Sequence, residues 1–320
     1  MATDIRPLRV SAPFRRLWVG NSVAQLGQQM TAVTIAIQVY AITGSSFAVG
    51  LVGACALFPL VGFGLYGGAV ADSMDRRKLA LGASALAWVC SMGLAAQGFW
   101  GNAHVSVLYA LVALQSVAYA LNSPARNAMI ARLLPADLLP AASALNMASF
   151  NLGFTVGPMF GALAVKFGGF GLAYGIDVVT FSAAYYALVR LPRMPPDAGS
   201  PKAGLKAVFD GLRYLRSSPN VRMTFVVDLC AMVLAQPRAL FPAMAAKVYH
   251  GGAATVGFLQ SAPAFGSLVA FLVSGWISRV RLQGLAVVLA ICGYGLAVGT
   301  VGLTSLLWVG AVALAISGAC

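Results

Sequence analysis

The chain reads as an all-α integral membrane protein, and three observations predict it. Charged residues make up 9% of the 320 residues and apolar ones 60%, whereas ordinary soluble domains carry roughly 25% charge. The mean hydropathy is accordingly high, at +0.84. Apolar runs long enough to cross a bilayer, about 20 residues each, recur along the whole length. The basic residues gather in short clusters between those runs, as cytoplasmic loops do. A net charge of +13 therefore does not argue for nucleic acid, which needs a basic face on a soluble domain.

The elements follow in order. Arg6, Arg9, Arg15 and Arg16 precede a first apolar run at 17–42. That run is too long for the core of a signal peptide and is read as span one. Spans two to six are expected at 46–71, 78–99, 104–125, 139–165 and 170–190. Later ones are expected at 222–246, 254–278 and 283–304, with a tenth starting at 306. With the N-terminus in the cytoplasm, all of the 21 basic residues except Lys166, Lys247 and Arg238 fall on the cytoplasmic side, which is the positive-inside pattern. The expected domains are an N-terminal six-helix bundle at 1–190, a cytoplasmic linker at 191–221 and a C-terminal bundle at 222–320. Prolines 192, 195, 196 and 201 open the linker. Leu205, Val208, Phe209, Leu212 and Leu215 then recur near helical spacing opposite Lys206, Asp210, Arg213 and Arg216. This predicts an amphipathic helix at 203–216 that lies on the membrane surface and tethers the halves.

One fixed offset lays the second block on the first. Arg15 falls on Arg222, Val19 on Val226, Asn21 on Asp228 and Gln29 on Gln236. In the next span Val49-Gly50 falls on Val256-Gly257, Phe58 on Phe265, Leu65 on Leu272 and Gly68 on Gly275. An offset of six spans preserves orientation, so the repeat is parallel, about an axis along the membrane normal. Two six-span units imply twelve spans, of which this sequence holds about ten. The C-terminal bundle is therefore expected to be incomplete, through a truncated gene or a partial sequence.

Gly68-Ala-Val-Ala-Asp72-Ser-Met-Asp75-Arg76-Arg77-Lys78 joins spans two and three. Gly68 allows close helix approach, Asp72 ends a span and the basic cluster marks the cytoplasmic side. The segment resembles the loop signature of the major facilitator superfamily, with Ser73 and Asp75 where the commonest pattern has Arg and Gly. The resemblance implies two six-span halves, and a loop of Gly68, Asp72, Asp75, Arg76 and Arg77 that latches one gating arrangement. Gly153, Gly157, Pro158 and Gly161 in span five resemble the element of export-type members. They make a smooth stripe bent by a proline that removes one backbone hydrogen bond. Phe14-Arg15-Arg16-Leu17-Trp18, Ile42-Thr43-Gly44-Ser45-Ser46, Asn122-Ser123-Pro124-Ala125-Arg126 and Pro237-Arg238-Ala239-Leu240-Phe241-Pro242 are similar to the enterobactin-exporter-like branch. That resemblance implies proton-coupled export of a siderophore or an amphipathic drug-like molecule, by a monomer in the cell membrane. An uptake carrier of the same superfamily and a truncated, non-transporting membrane protein are the alternatives.

Polar stripes mark a pathway. Asn21, Gln25 and Gln28 share one face of span one, and Gln115, Tyr119, Asn122 and Arg126 one face of span four. The resemblance places spans one, four, seven and ten around a central cavity; plain interhelical hydrogen bonding is the other reading of these stripes. Asp177, Asp228 and Arg238 are charges within spans, each costing about 2.5–3.5 kcal/mol at a helix centre. Asp228, on a cavity helix, is the first candidate for proton coupling. An ion pair with Arg238 would have to bridge ten residues, about 15 Å of helix. Asp177, on peripheral span six, is read as structural. His104 and His250 stand alone, no glycine-rich phosphate loop or zinc spacing occurs, and the five cysteines lie in apolar runs as packing residues. No enzyme activity, metal or cofactor is expected.

Overall fold

A computed structural model gives the fold and describes residues 4–73, 75–101, 104–192, 237–273 and 283–320, with isolated helical positions between 193 and 236. The side chains of residues 65–73, 76, 128 and 283 lie outside that description. Among the described residues the regular structure is helical throughout. A short α1 (Arg6–Val10) leads into α2 (Ala12–Thr43), whose first turn is capped by Ser11 accepting from the Phe14 amide at 3.2 Å. Gly44, at φ 64°, ends α2 in a left-handed turn, a conformation that suits glycine. Then come α3 (Ser46–Ser73), α4 (Arg76–Trp100), α5 (Val105–Leu133) and α6 (Leu139–Val189). After the linker stand α7 (Phe241–Lys247), α8 (Ala253–Val273), α9 (Gln283–Leu303) and α10 (Leu307–Ala319).

Six of the described helices are long and apolar enough to cross a membrane. The polar residues of α2 keep it out of that group although it occupies the place of span one. The 51 residues of α6 hold both spans five and six, broken at Gly169 with φ 72°. Its contacts with α2 show that the chain reverses there. Along the first arm Ser149 bonds Ser22, and Gly153, Gly157 and Gly161 meet Gln25, Gln29 and Met30 in rising order. Along the second arm Tyr174 bonds Gln38, Asp177 abuts Gly27, and Ala187 abuts Gly20, in falling order. One helix is thus clasped by an antiparallel pair.

Two expectations need correction. Span four was expected to end at 125, but α5 continues to Leu133 through Pro124. A proline forfeits one backbone bond and clashes locally; here the helix bridges it. Arg126 is therefore a residue of the helix wall and not of a loop. Arg238, expected within span seven, stands in a 3₁₀ turn at Pro237–Leu240 that precedes α7. The rest of span seven with Asp228, and the amphipathic helix at 203–216, lie outside the described residues.

The two sequence blocks touch through apolar contacts. Val33 of α2 is fully buried with Phe241, Val256, Leu259, Val301 and Leu314 from the later helices. Gly257 of α8 fits onto the first arm of α6, where an added methyl carbon would stand 2.7 Å from the Pro158 carbonyl oxygen. Far more apolar surface faces outward: Phe58, Phe63, Val288, Leu289 and Trp308 are all exposed. Such a surface suits hydrocarbon and not water.

Candidate functional site

The polar stripes of spans one and four meet. Arg126 donates through Nε to Asn122 Oδ1 at 3.1 Å and through Nη1 to Asn21 Oδ1. Asn122 in turn donates to Ser84 Oγ on α4 at 3.2 Å. Asn21, Gln25, Gln28, Gln115, Tyr119, Asn122 and Arg126 all line one cavity of about 200 Å³. Every stripe residue named from the sequence is therefore in its wall.

The structure adds residues that periodicity did not reveal. Trp18, Asn127, Asn146, Ser149, Phe150 and Phe181 also line it. Asn146, Ser149 and Phe150 lie on one side of span five at helical spacing. That signal was present in the sequence but was hidden behind the glycine motif next to it. The wall is mixed in character, with aromatic faces beside amides and one guanidinium. The Trp18 indole N–H is buried there without a hydrogen-bond acceptor. Among the described residues no carboxylate pairs with Arg126; the ion pair found there joins Arg6 and Asp4 near the N-terminus, at 2.7 Å. A half-buried cation whose hydrogen-bond partners among the described residues are amides leaves the cavity ready for an acceptor-rich ligand.

The other named residues take different places. Gly153, Gly157 and Gly161 are contact points between α6 and α2. A methyl carbon on them would come 3.1 Å from Gln25 Cγ, 2.5 Å from Gln29 Cβ and 2.7 Å from the Met30 carbonyl oxygen. The stripe therefore lets the cavity helix and span five approach at backbone distance, while Pro158 offers its carbonyl to Gly257 on the other side. In the loop motif Asp75 caps α4, accepting from the amides of Arg77 at 2.9 Å and Lys78 at 3.3 Å. Arg77 reaches across to donate to the Val189 carbonyl at 2.6 Å. Gly68 and Asp72 belong to the last turns of α3, and Arg76 opens α4; their side chains lie outside the description. Arg238 is not in the cavity wall but stacks over the Phe154 ring at 5.7 Å from its centroid. No cluster of metal-ligating residues occurs among the described residues.

Asp177 is not peripheral. It is fully buried between α2 and α4, and Ser91 Oγ donates to its Oδ2 at 2.8 Å. Its burial depends on the clasp around α2, which no local sequence pattern reports.

Comparison with known proteins agrees with this geometry. A family model described as transmembrane secretion effector matches residues 2–320. The enterobactin exporter EntS of Shigella boydii serotype 18 is 28% identical over 314 residues, covering 97% of this chain and 74% of that protein. EntS of Escherichia coli O139:H28 is 27% identical over the same shares. Among solved structures, the nucleoside transporter NupG superposes with a TM-score of 0.70 at 13% identity, over 96% of this chain and 78% of that one. A bacterial homologue of the iron transporter ferroportin, in an inward-facing state, gives 0.64 at 15% identity over 96% and 80%. These neighbours share the fold, and they are transporters and not enzymes. With a clasped helical bundle, a polar cavity in its wall and a family match along its length, the chain belongs to the transmembrane secretion effector family of major facilitator transporters.

Proposed function

We propose that the protein exports an amphipathic, acceptor-rich small molecule, siderophore-like or drug-like, from the cytoplasm in exchange for protons. One observation carries the reading: the cavity sets the Arg126 guanidinium and the Trp18 indole N–H, both donors, beside Tyr119, Phe150 and Phe181. Charge-assisted donors hold phenolate or carboxylate oxygens, and aromatic faces hold the apolar body. The names of the exporter relatives support this cargo class and direction. Asp228, by sequence on span seven, is the coupling group contributed by the second half. The Gly68–Arg77 corner latches one arrangement of the halves, and the N-terminus lies in the cytoplasm with the chain acting as a monomer in the cell membrane.

The test is transport by the purified protein in liposomes, with iron-free enterobactin as probe and an imposed pH gradient. Probe accumulation against its gradient, driven by counterflow of protons and abolished by a protonophore, is expected. Movement in the same direction as protons would favour an uptake carrier. No movement at all would favour a non-transporting protein. Undiminished coupling in Asp228→Asn would remove that residue from the scheme.

A further inference from the structure

Asp177 has features that a packing residue does not need. It is a fully buried carboxyl in the span region with no cationic partner among the described residues. An idle charge at such a place is expensive, and a hydrogen-bonded asparagine would have packed as well. Its second oxygen, Oδ1, is within reach of the Thr31 hydroxyl of α2, but neither atom makes a well-formed hydrogen bond. Room for that oxygen is provided by Gly27, where a methyl carbon would stand 2.6 Å from Oδ1.

The groups around the carboxyl suit both of its protonation states. As a carboxylate it accepts from Ser91 and can accept from Thr31. As a neutral acid it donates from Oδ1 to Thr31 while Ser91 still donates to Oδ2. Hydroxyls both donate and accept, so the proton can arrive or leave with only hydroxyl rotations. A lysine or arginine partner would have locked the charged state instead. Among the described residues no charged group is recorded against the site: α2 brings Gly27 and Thr31, and α4 brings Ser91 beside the titratable Cys90. Tyr174, one turn earlier on the same arm, directs its hydroxyl to Gln38 Oε1 at 2.7 Å. Arg126 is held in the cavity by Asn21 and Asn122.

The site also has a connection to the cavity. Gln115, in the cavity wall, donates to Ser91 Oγ at 3.4 Å. Ala87 and Phe181, one turn from Ser91 and Asp177 on their helices, are wall residues too. Cavity wall, Gln115, Ser91 and carboxyl therefore form one chain of contacts across three helices.

We propose that Asp177 is a proton-binding site, in which a proton from cavity water adds to Oδ1 and is later returned to water, its occupancy being sensed in the cavity through Ser91 and Gln115. The step is a plain acid–base exchange: hydronium gives up its proton, the carboxylate is neutralised and nothing is oxidised or reduced. It rests on the reading of the protein as a proton-coupled transporter and adds a second acid, in the first half, to Asp228.

Infrared difference spectroscopy of the purified whole protein across a pH titration reads the carboxyl directly, independently of cargo. The expected result is a protonated-carboxyl stretch that titrates, is absent in Asp177→Asn, and has a displaced midpoint in Ser91→Ala. Loss of gradient-driven enterobactin accumulation in Asp177→Asn liposomes, with downhill movement retained and coupling restored in Asp177→Glu, completes the case. A stretch unchanged by Asp177→Asn, or full coupling in that variant, overturns the proposal. Should Asp177→Asn fail to fold, the Ser91→Ala midpoint decides, and an unmoved midpoint overturns it. The spectrum separates the two claims: a titrating Asp177 band in a protein whose transport ignores the pH gradient sinks the coupled-transport reading and, with it, the use assigned to the site.

Discussion

The two ends of α2 handle polar side chains in opposite ways. Near its C-terminal end, Gln38 and Gln97 exchange both amide bonds, at 2.9 and 3.3 Å, and Tyr174 donates to Gln38 at 2.7 Å. All three are buried and satisfied, a dry knot tying α2, α4 and the second arm of α6. Nearer its N-terminal end, Asn21, Gln25 and Gln28 open into a cavity whose guanidinium has amide partners among the described residues. The lesson is that a polar residue in a span is not by itself a sign of transport. Saturation marks a clamp, and unspent donors mark a place for cargo.

Four substitutions would break or sharpen that contrast. The largest effect is expected from Gly161→Val, which erases it by prising α2 from α6 along its whole length. Overpacking costs about 1–3 kcal/mol and sometimes more. Here the obstacle is the Met30 backbone, which cannot swing aside, so the upper end applies. Loss of a monodisperse peak on size exclusion in detergent is the readout.

Next is Arg126→Ala, which empties the cavity of its charge. A hydrogen bond to a charged group is worth about 1.5–3 kcal/mol, so the half-saturating enterobactin concentration should rise roughly tenfold to a hundredfold. The unfolding temperature should hold or increase, since a desolvated cation is removed. A large drop in thermal stability would mean that this end, too, is a clamp.

Gln38→Leu should do the reverse. It strands the Gln97 amide and the Tyr174 hydroxyl, at a cost of about 1–2 kcal/mol given the modest worth of interhelical bonds in membranes. Thermal unfolding in detergent should register it, while enterobactin affinity stays unchanged. The smallest effect, about 1 kcal/mol, is expected from Arg77→Ala, which frees the Val189 carbonyl. It should appear as faster proteolysis beyond residue 190 without any change in affinity.

How much of this was legible beforehand depended on how local the signal was. The stripe of Asn21, Gln25 and Gln28 is a periodicity within one helix, and it led directly to the cavity wall. The break between spans five and six was expected between 165 and 170, where the apolar runs part, and the chain turns there at Gly169. The end of span four was drawn short at 125 because a charge following a proline reads as the end of a span, whereas the helix runs on to Leu133 and the cavity receives the Arg126 side chain. The depth at which Asp177 is buried was illegible for a different reason. Its surroundings come from Gly27, Thr31 and Ser91, far apart in sequence, and only the packing of three helices brings them together. Span-five glycines were noticed for their spacing, yet spacing alone could not say that α2 was the surface they fit.

The Arg77 clasp on Val189 has a mechanical consequence. Leu191, two residues further on, is sunk among Leu17, Leu79, Ala80 and Met129. The end of the second arm of α6 is therefore a riveted point up to that leucine. A load placed on the chain beyond it would reach the corner between spans two and three directly, through Arg77.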